Sequence, residues 1–293
     1  YRLSPKGKRA VFVARGDVFT VPIEKGPTRN LTNSSNAHDK HARWSPDGRQ
    51  IAFISDLSGE EQIYLIDQSG RQAPKALTTG HKVMLGAPTW SPDGKRLAYS
   101  DKDGKLFVIT IATKAVVEII DAPRGGISDH TWSACGGHLA FTMREINGFG
   151  RLHIWSVADG KTQPITNPHF DVDSPTWDPE GNYIFYLSRT EFAPQISTIE
   201  WNYAGSHDVQ AYALALRKGV LNPFAPESDE VDIDEEKGDP DPIDHKNSVN
   251  EEKNETERLE YTHIDFDGLD QRAVRVPVRA GNIRKLTSEK SFM

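Results

Sequence analysis

The chain has 293 residues, a net charge of −7, 37% hydrophobic residues with 12 Phe, 6 Trp and 8 Tyr, and one cysteine. A single thiol, Cys135, excludes an internal disulfide and a cysteine-based zinc site, and no apolar run reaches the roughly eighteen residues that a bilayer-spanning helix needs. Residues 227–260 hold fifteen Asp/Glu against four Lys/Arg, net −11, so the rest of the chain sums to +4, without the basic clusters and interleaved aromatics of a nucleic-acid surface.

No basic–apolar–small leader pattern stands at the N-terminus. The first residue is Tyr1 rather than Met, so the chain is expected to be processed or an excerpt of something longer. The compartment stays open between cytoplasm and periplasm.

In chain order, one string recurs. It reads Ser4-Pro5-Lys6-Gly7-Lys8, Trp44-Ser45-Pro46-Asp47-Gly48-Arg49, Trp90-Ser91-Pro92-Asp93-Gly94-Lys95, Trp132-Ser133-Ala134-Cys135-Gly136-Gly137 and Trp177-Asp178-Pro179-Glu180-Gly181-Asn182. The markers at 4, 45, 91, 133 and 178 are spaced by 41, 46, 42 and 45 residues. A period of about 40–50 residues belongs to propeller blades or two-helix solenoids.

The flanking pattern excludes helices. Each turn precedes a short β-rich run, at 9–13, 51–54, 97–100, 139–142 and 183–187. A second run follows at 18–21, 63–66, 106–109 and 152–155, and a third at 29–32, 75–78 and 163–166. Runs this short, bounded by Gly, Asp, Asn and Ser, read as strands. Ser-Pro-Asp-Gly suits a tight hairpin: Pro presets φ, Asp caps the turn and Gly takes positive φ.

The prediction is an all-β protein, a β-propeller of four-stranded antiparallel blades at about 1–32, 33–79, 80–120, 121–166 and 167–280. In the fifth unit, 192–207 is expected to be a long connection and 209–216 the next strand. Residues 227–260 are expected to be a disordered acidic insertion. Strands at 261–266 and 272–278 finish the unit, and 281–293 begins another blade. Five blades are visible, as part of a six- or seven-bladed domain.

Chemistry-bearing residues are sparse. A Gly-x-Ser-x-Gly nucleophile elbow is absent, and Gly125-Gly126 and Gly136-Gly137 lack the Lys-Ser/Thr of a phosphate loop. Asp232, Asp234, Asp239 and Asp241 do not follow an EF-hand pattern. Cys135, in a turn, reads as a tolerated substitution rather than a reactive thiol. Lys40-His41-Ala42-Arg43 is the densest basic patch of the first half. His38, Asp39, His41 and Arg43, Asp129 and His130, and His169, Asp171 and Asp173 all precede Trp strands. An innermost strand lines a propeller's channel, so these nine are candidates for a polar, peptide-binding ring at the channel mouth. No metal site and no cofactor are expected.

The Trp-Ser-Pro-Asp-Gly units resemble the repeats of TolB-like and tricorn-like propellers. Four stretches resemble the second propeller of tricorn-like serine proteases more specifically. They are 4–10 leading to Ala14-Arg15-Gly16-Asp17-Val18-Phe19, and Ile54-Ser55-Asp56-Leu57-Ser58-Gly59-Glu60 before Ile63-Tyr64. The others are Asn222-Pro223-Phe224 with 226–230, and Ile264-Asp265-Phe266-Asp267-Gly268-Leu269 with Arg272, Val276-Pro277-Val278 and Gly281-Asn282. The resemblance implies a noncatalytic propeller that guides or gates unfolded peptide to a separate serine-protease core. No catalytic residue carries over. The implied partners are a peptide or unfolded substrate and the protein's own protease core, with a homo-oligomer left open. A free-standing TolB-like binding propeller is the alternative. An enzyme site at the channel mouth is a third reading, which loss of an activity on His41→Ala or His130→Ala would support.

Overall fold

The computed structural model describes residues 1–127, 129–190, 194–196, 203–205, 208–225 and 262–288. Within them lie five four-stranded antiparallel sheets. The first is β1 (Arg2–Leu3), β2 (Arg9–Ala14), β3 (Asp17–Pro22) and β4 (Arg29–Asn30). The second is β5 (Lys40–Trp44), β6 (Gln50–Ser55), β7 (Gln62–Asp67) and β8 (Lys75–Ala76). The third is β9 (Thr89–Trp90), β10 (Arg96–Ser100), β11 (Lys105–Thr110) and β12 (Val116–Asp121). The fourth is β13 (His130–Trp132), β14 (His138–Arg144), β15 (Gly150–Ser156) and β16 (Thr162–Pro164). The fifth joins β17 (Val172–Trp177) and β18 (Tyr183–Ser188) to β21 (Gln210–Ala215) and β22 (Ala273–Arg275). In each, chain order equals sheet order, which is the up-and-down sheet of a propeller blade.

The recurring turn explains the recurring sheet. Ser45 Oγ donates to Asp47 Oδ1 at 2.5 Å, and the same oxygen accepts the Arg49 N–H at 3.0 Å. Ser91, Asp93 and Lys95 repeat this at 2.6 and 3.0 Å. Gly48 and Gly94 close the turns at φ 70° and 68°, a left-handed conformation that costs glycine little. The hairpin is therefore locally encoded and fixes the register of the two strands it joins.

Blades associate through alternate side chains. Ile51 and Phe53 of β6 pack with Val11 and Val18 of the first blade, while Ala52 and Ile54 pack with Trp90 and Tyr99 of the third. Equivalent cores lie between the third and fourth blades and between the fourth and fifth. Both faces of an interior blade are buried, so its central strands are apolar throughout.

At one register each blade carries a cross-strand ring pair: Phe12–Phe19, Phe53–Tyr64, Tyr99–Phe107, Phe141–His153 and Tyr186–Tyr212. Their centroids are 5.3–5.9 Å apart. The first-named ring of each pair is buried in the second to fifth blades but only half-buried at Phe12.

Three expectations need correction in the fifth blade. The 192–207 connection contains a two-stranded hairpin, β19 (Pro194–Ile196) with β20 (Tyr203–Gly205). Residues 262–266 are not a strand. Arg272 donates to the carbonyls of Ala215 (3.1 Å), Asp267 (3.4 Å) and Asp265, drawing the segment into a loop before a 3-10 turn at Leu269–Arg272. The final strand is short because Pro277 has no N–H and the Val278 N–H turns back to Val276 O at 2.7 Å. The acidic insertion and Tyr261 lie outside the described residues.

Candidate functional site

The innermost strands surround a cavity of about 760 Å³. Each blade presents to it the residue two places before its marker: Arg2, Arg43, Thr89, Thr131 and Thr176. The same residues carry the inter-blade hydrogen bonds. Trp44 Nε1 donates to Arg2 O (3.3 Å), Trp90 to Arg43 O (3.3 Å), Trp132 to Thr89 O (3.1 Å) and Trp177 to Thr131 O (3.0 Å). The indole satisfies its one donor while its body fills the interface. The repeated Trp thus holds the channel-lining position of the preceding blade.

Residues 284–288 complete the wall. They run alongside β17: Ser174 Oγ donates to Arg284 O (3.4 Å) and Thr176 Oγ1 to Leu286 O (3.1 Å). Ile283 and Leu286 pack on Leu187, Val209 and Ala211, the face of the fifth blade turned away from the fourth.

Of the nine candidates, Arg43, Asp129 and His130 line this cavity. Burial and the neighbouring Arg2 push the Arg43 guanidinium below its usual range. Burial, against the pull of the Ala98 carbonyl, takes His130 down to about 4. A carbonyl only accepts, so His130 Nε2 carries the proton toward Ala98 O (3.3 Å) and the ring is neutral at pH 7.

Asp129 accepts the Ser174 N–H at 2.7 Å and the Thr142 hydroxyl, tying the fourth blade to the fifth. Burial raises its pKa, and Asp173 adds to the rise.

Asp129, Asp171 and Asp173 also share a smaller cleft, about 200 Å³, with Arg189. Arg189 Nη1 reaches Asp171 at 2.7 Å and Asp173 at 3.4 Å, and the Gly150 N–H donates to Asp171 at 2.8 Å. Asp171 and Asp173 thus share Arg189, while Asp129 is held by the Ser174 N–H and the Thr142 hydroxyl.

The remaining four candidates do not line the cavity. The His38 backbone N–H caps Asp56 at 2.7 Å, with its side chain exposed. Asp39 is buried and accepts from Ser34 Oγ at 3.2 Å. His41 is exposed at φ 57°, inside a break in the β5–β6 register, and Ser174 takes φ 55° at the equivalent break in β17–β18. A bulge re-aims the side chains after it. It turns His41 outward and sets Arg43 toward the channel. His169 is exposed in a loop. Among the described residues no group of three or more His, Cys, Asp or Glu is placed to hold a metal ion, and no helix is long and apolar enough to cross a membrane. The arrangement places cations, hydroxyls, one carboxylate and a neutral imidazole around the channel.

Four-stranded blades stacked face to face around such a channel make the chain a β-propeller. Its family follows from comparison: the chain belongs to the family described as the tricorn protease second beta propeller domain, whose model matches residues 1–292. It is 24% identical over 282 residues to tricorn protease homolog 1 of Streptomyces coelicolor, covering 94% of this chain and 25% of that protein. It is 31% identical over 144 residues to a TolB homolog of Chlorobium chlorochromatii, covering 48% of this chain and 31% of that one. Its fold matches the crystal structure of the tricorn protease with a TM-score of 0.73 at 17% identity, over 97% of this chain and 25% of that chain. The chain therefore spans about a quarter of the length of the tricorn relatives it matches.

Proposed function

We propose that this chain is the noncatalytic propeller of a tricorn-like protease and guides or gates unfolded peptide toward a separate serine-protease core. The observation that carries this is the family match over residues 1–292 together with a polar channel lined by the same repeat position in every blade. A rigid ring sieves by width, admitting an extended chain and refusing a folded one. The channel-lining members of the candidate set, Arg43, Asp129 and His130, are its contacts in this reading. Residues 281–288 are read as the start of a further blade, because they run beside β17 in the same direction, as neighbouring inner strands of a propeller do. The whole domain then has six or seven blades.

The test narrows the channel in the full-length protein. Thr131→Trp is expected to slow degradation of a long unfolded polypeptide severalfold and to leave cleavage of a short fluorogenic peptide unchanged. Equal effects on both, or none on either, would sink the gating role.

A second reading, a protein-binding propeller of TolB type, draws on the TolB homolog and on a TolB structure from Agrobacterium tumefaciens. That structure matches with a TM-score of 0.51, over 73% of this chain and 76% of that one. A stoichiometric partner captured by the full-length protein, with no peptidase activity, would favour it.

A further inference from the structure

Four cations face the channel: Arg2, Arg43, Arg284 and Lys285. Asp129 is the one acid among its described lining residues. That carboxylate is already committed to the Ser174 N–H and the Thr142 hydroxyl. Among the described residues none of the four cations forms an ion pair. The one hydrogen bond of the Arg43 guanidinium runs to Ala42 O at 3.1 Å, a neutral carbonyl. Outside residues 227–260, which hold the chain's acidity, the sequence sums to +4, and these four cations gather that positive charge at the channel.

Arg43 is half-buried with Arg2 as its charged neighbour, and both effects disfavour its charged form. A partly desolvated guanidinium without a counter-charge is a deficit that an anion corrects. Channel walls of low dielectric focus such a field and concentrate ions of opposite sign.

We infer that the channel selects by charge: it favours extended peptide segments rich in Asp and Glu and disfavours those rich in Lys and Arg. Arg2, Arg43, Arg284 and Lys285 meet the acidic side chains. The hydroxyls of Thr89 and Thr131 offer sequence-neutral hydrogen bonds to a passing main chain. The inference rests on the reading of the channel as a peptide path and names the class of peptide.

The experiment uses the full-length protein and three fluorescein-labelled peptides of equal length, alternating Ser with Glu, Gln or Lys. Equilibrium anisotropy gives each affinity, and mass spectrometry checks that each peptide stays intact. The Glu peptide is expected to bind about tenfold more tightly than the Gln peptide, with the Lys peptide weakest, as complementary charge around a channel requires. Raising the salt to shrink the screening length to a few ångström should erase most of the difference. Arg43→Gln, and separately Arg284→Gln with Lys285→Gln, should each lower the Glu preference severalfold. The double variant changes only exposed side chains and keeps the test valid if Arg43→Gln fails to fold. Lys218→Gln, whose ammonium pairs with Asp267 away from the channel, should change nothing. Equal binding of all three peptides, or a preference that survives both channel variants, overturns charge selection and leaves the peptide path standing. If no peptide binds, the peptide path fails and the selection with it.

Discussion

Cys135 illustrates how one side chain inherits a role from its place in the repeat. It stands in the Asp position of the repeat, where Asp47 and Asp93 cap their turns. Its Sγ accepts the N–H groups of Gly137 (3.3 Å) and Thr262 (3.4 Å) and lies 3.3 and 3.2 Å from the hydroxyls of Ser133 and Thr262. Burial opposes ionisation, but hydrogen bonds from His138, Ser133 and Thr262 outweigh it and bring the thiol down to about 5. A folded pKa below the unfolded value of 9.0 means that the thiolate's stabilisation is complete above the unfolded value. It fades as pH falls from there through about 5. Cys135→Ala is expected to cost about 1–3 kcal/mol at pH 9, the penalty of unsatisfied buried donors, and clearly less at pH 5. Cys135→Asp should recover most of the loss. Urea denaturation at both pH values decides it, and an equal cost at the two would show the thiol to be un-ionised. The tolerance of this position was legible in the sequence from the repeat. Its five-way hydrogen bonding was not, because Thr262 lies 127 residues away.

At the scale of elements, hairpins are local and the links between sheets are not. Asp129 precedes β13 yet holds the bulge of β17 through the Ser174 N–H. Its raised pKa means that the folded state holds this proton more tightly than the unfolded one. Its contribution to stability is therefore greatest at low pH and is lost as pH rises from the ordinary carboxylate range through the raised value. Asp129→Asn keeps an acceptor and removes the buried charge, so it should match or exceed the wild type at pH 7. Asp129→Ala should cost about 1–3 kcal/mol by leaving the Ser174 N–H and the Thr142 hydroxyl without it. Thermal unfolding of both variants checks this, and an Asn variant as weak as the Ala variant would refute the account. The strands themselves were readable from alternation and turns. The two bulges were not: His41 and Ser174 are non-glycine residues at positive φ, and a one-residue slip exchanges the two faces of a strand. Six of the nine candidates lie off the channel, Asp171 and Asp173 among them in the smaller cleft with Arg189, while Arg2, Thr89, Thr131 and Thr176 went unnoticed. Counting two residues back from every marker would have found them.

For the whole molecule the first blade is informative. Phe12 and Phe19 stack as the other ring pairs do, but no blade lies on their outer side among the described residues, and Phe12 stays half-buried. Phe53→Ala, which empties a filled core site, should cost about 3–5 kcal/mol. Phe12→Ala should cost much less in this chain. In the full-length protein a closing blade would cover Phe12 and the two costs would converge. Urea denaturation followed by amide exchange at the first blade measures both, and a persistently cheap Phe12→Ala would mean that this face stays open.

The sequence by itself determined the blade, the period and the family, because a Ser-Pro-Asp-Gly turn, two alternating strands and a Trp are all written within one repeat. It also marked the acidity as confined to residues 227–260. Only the tertiary structure decided what the channel is. Arg2, Arg43, Arg284 and Lys285 come from opposite ends of the chain, and their shared field exists only once the blades are stacked and each Trp has fixed the strand before it. Charge acts through space, and a linear sequence does not record which cations will meet.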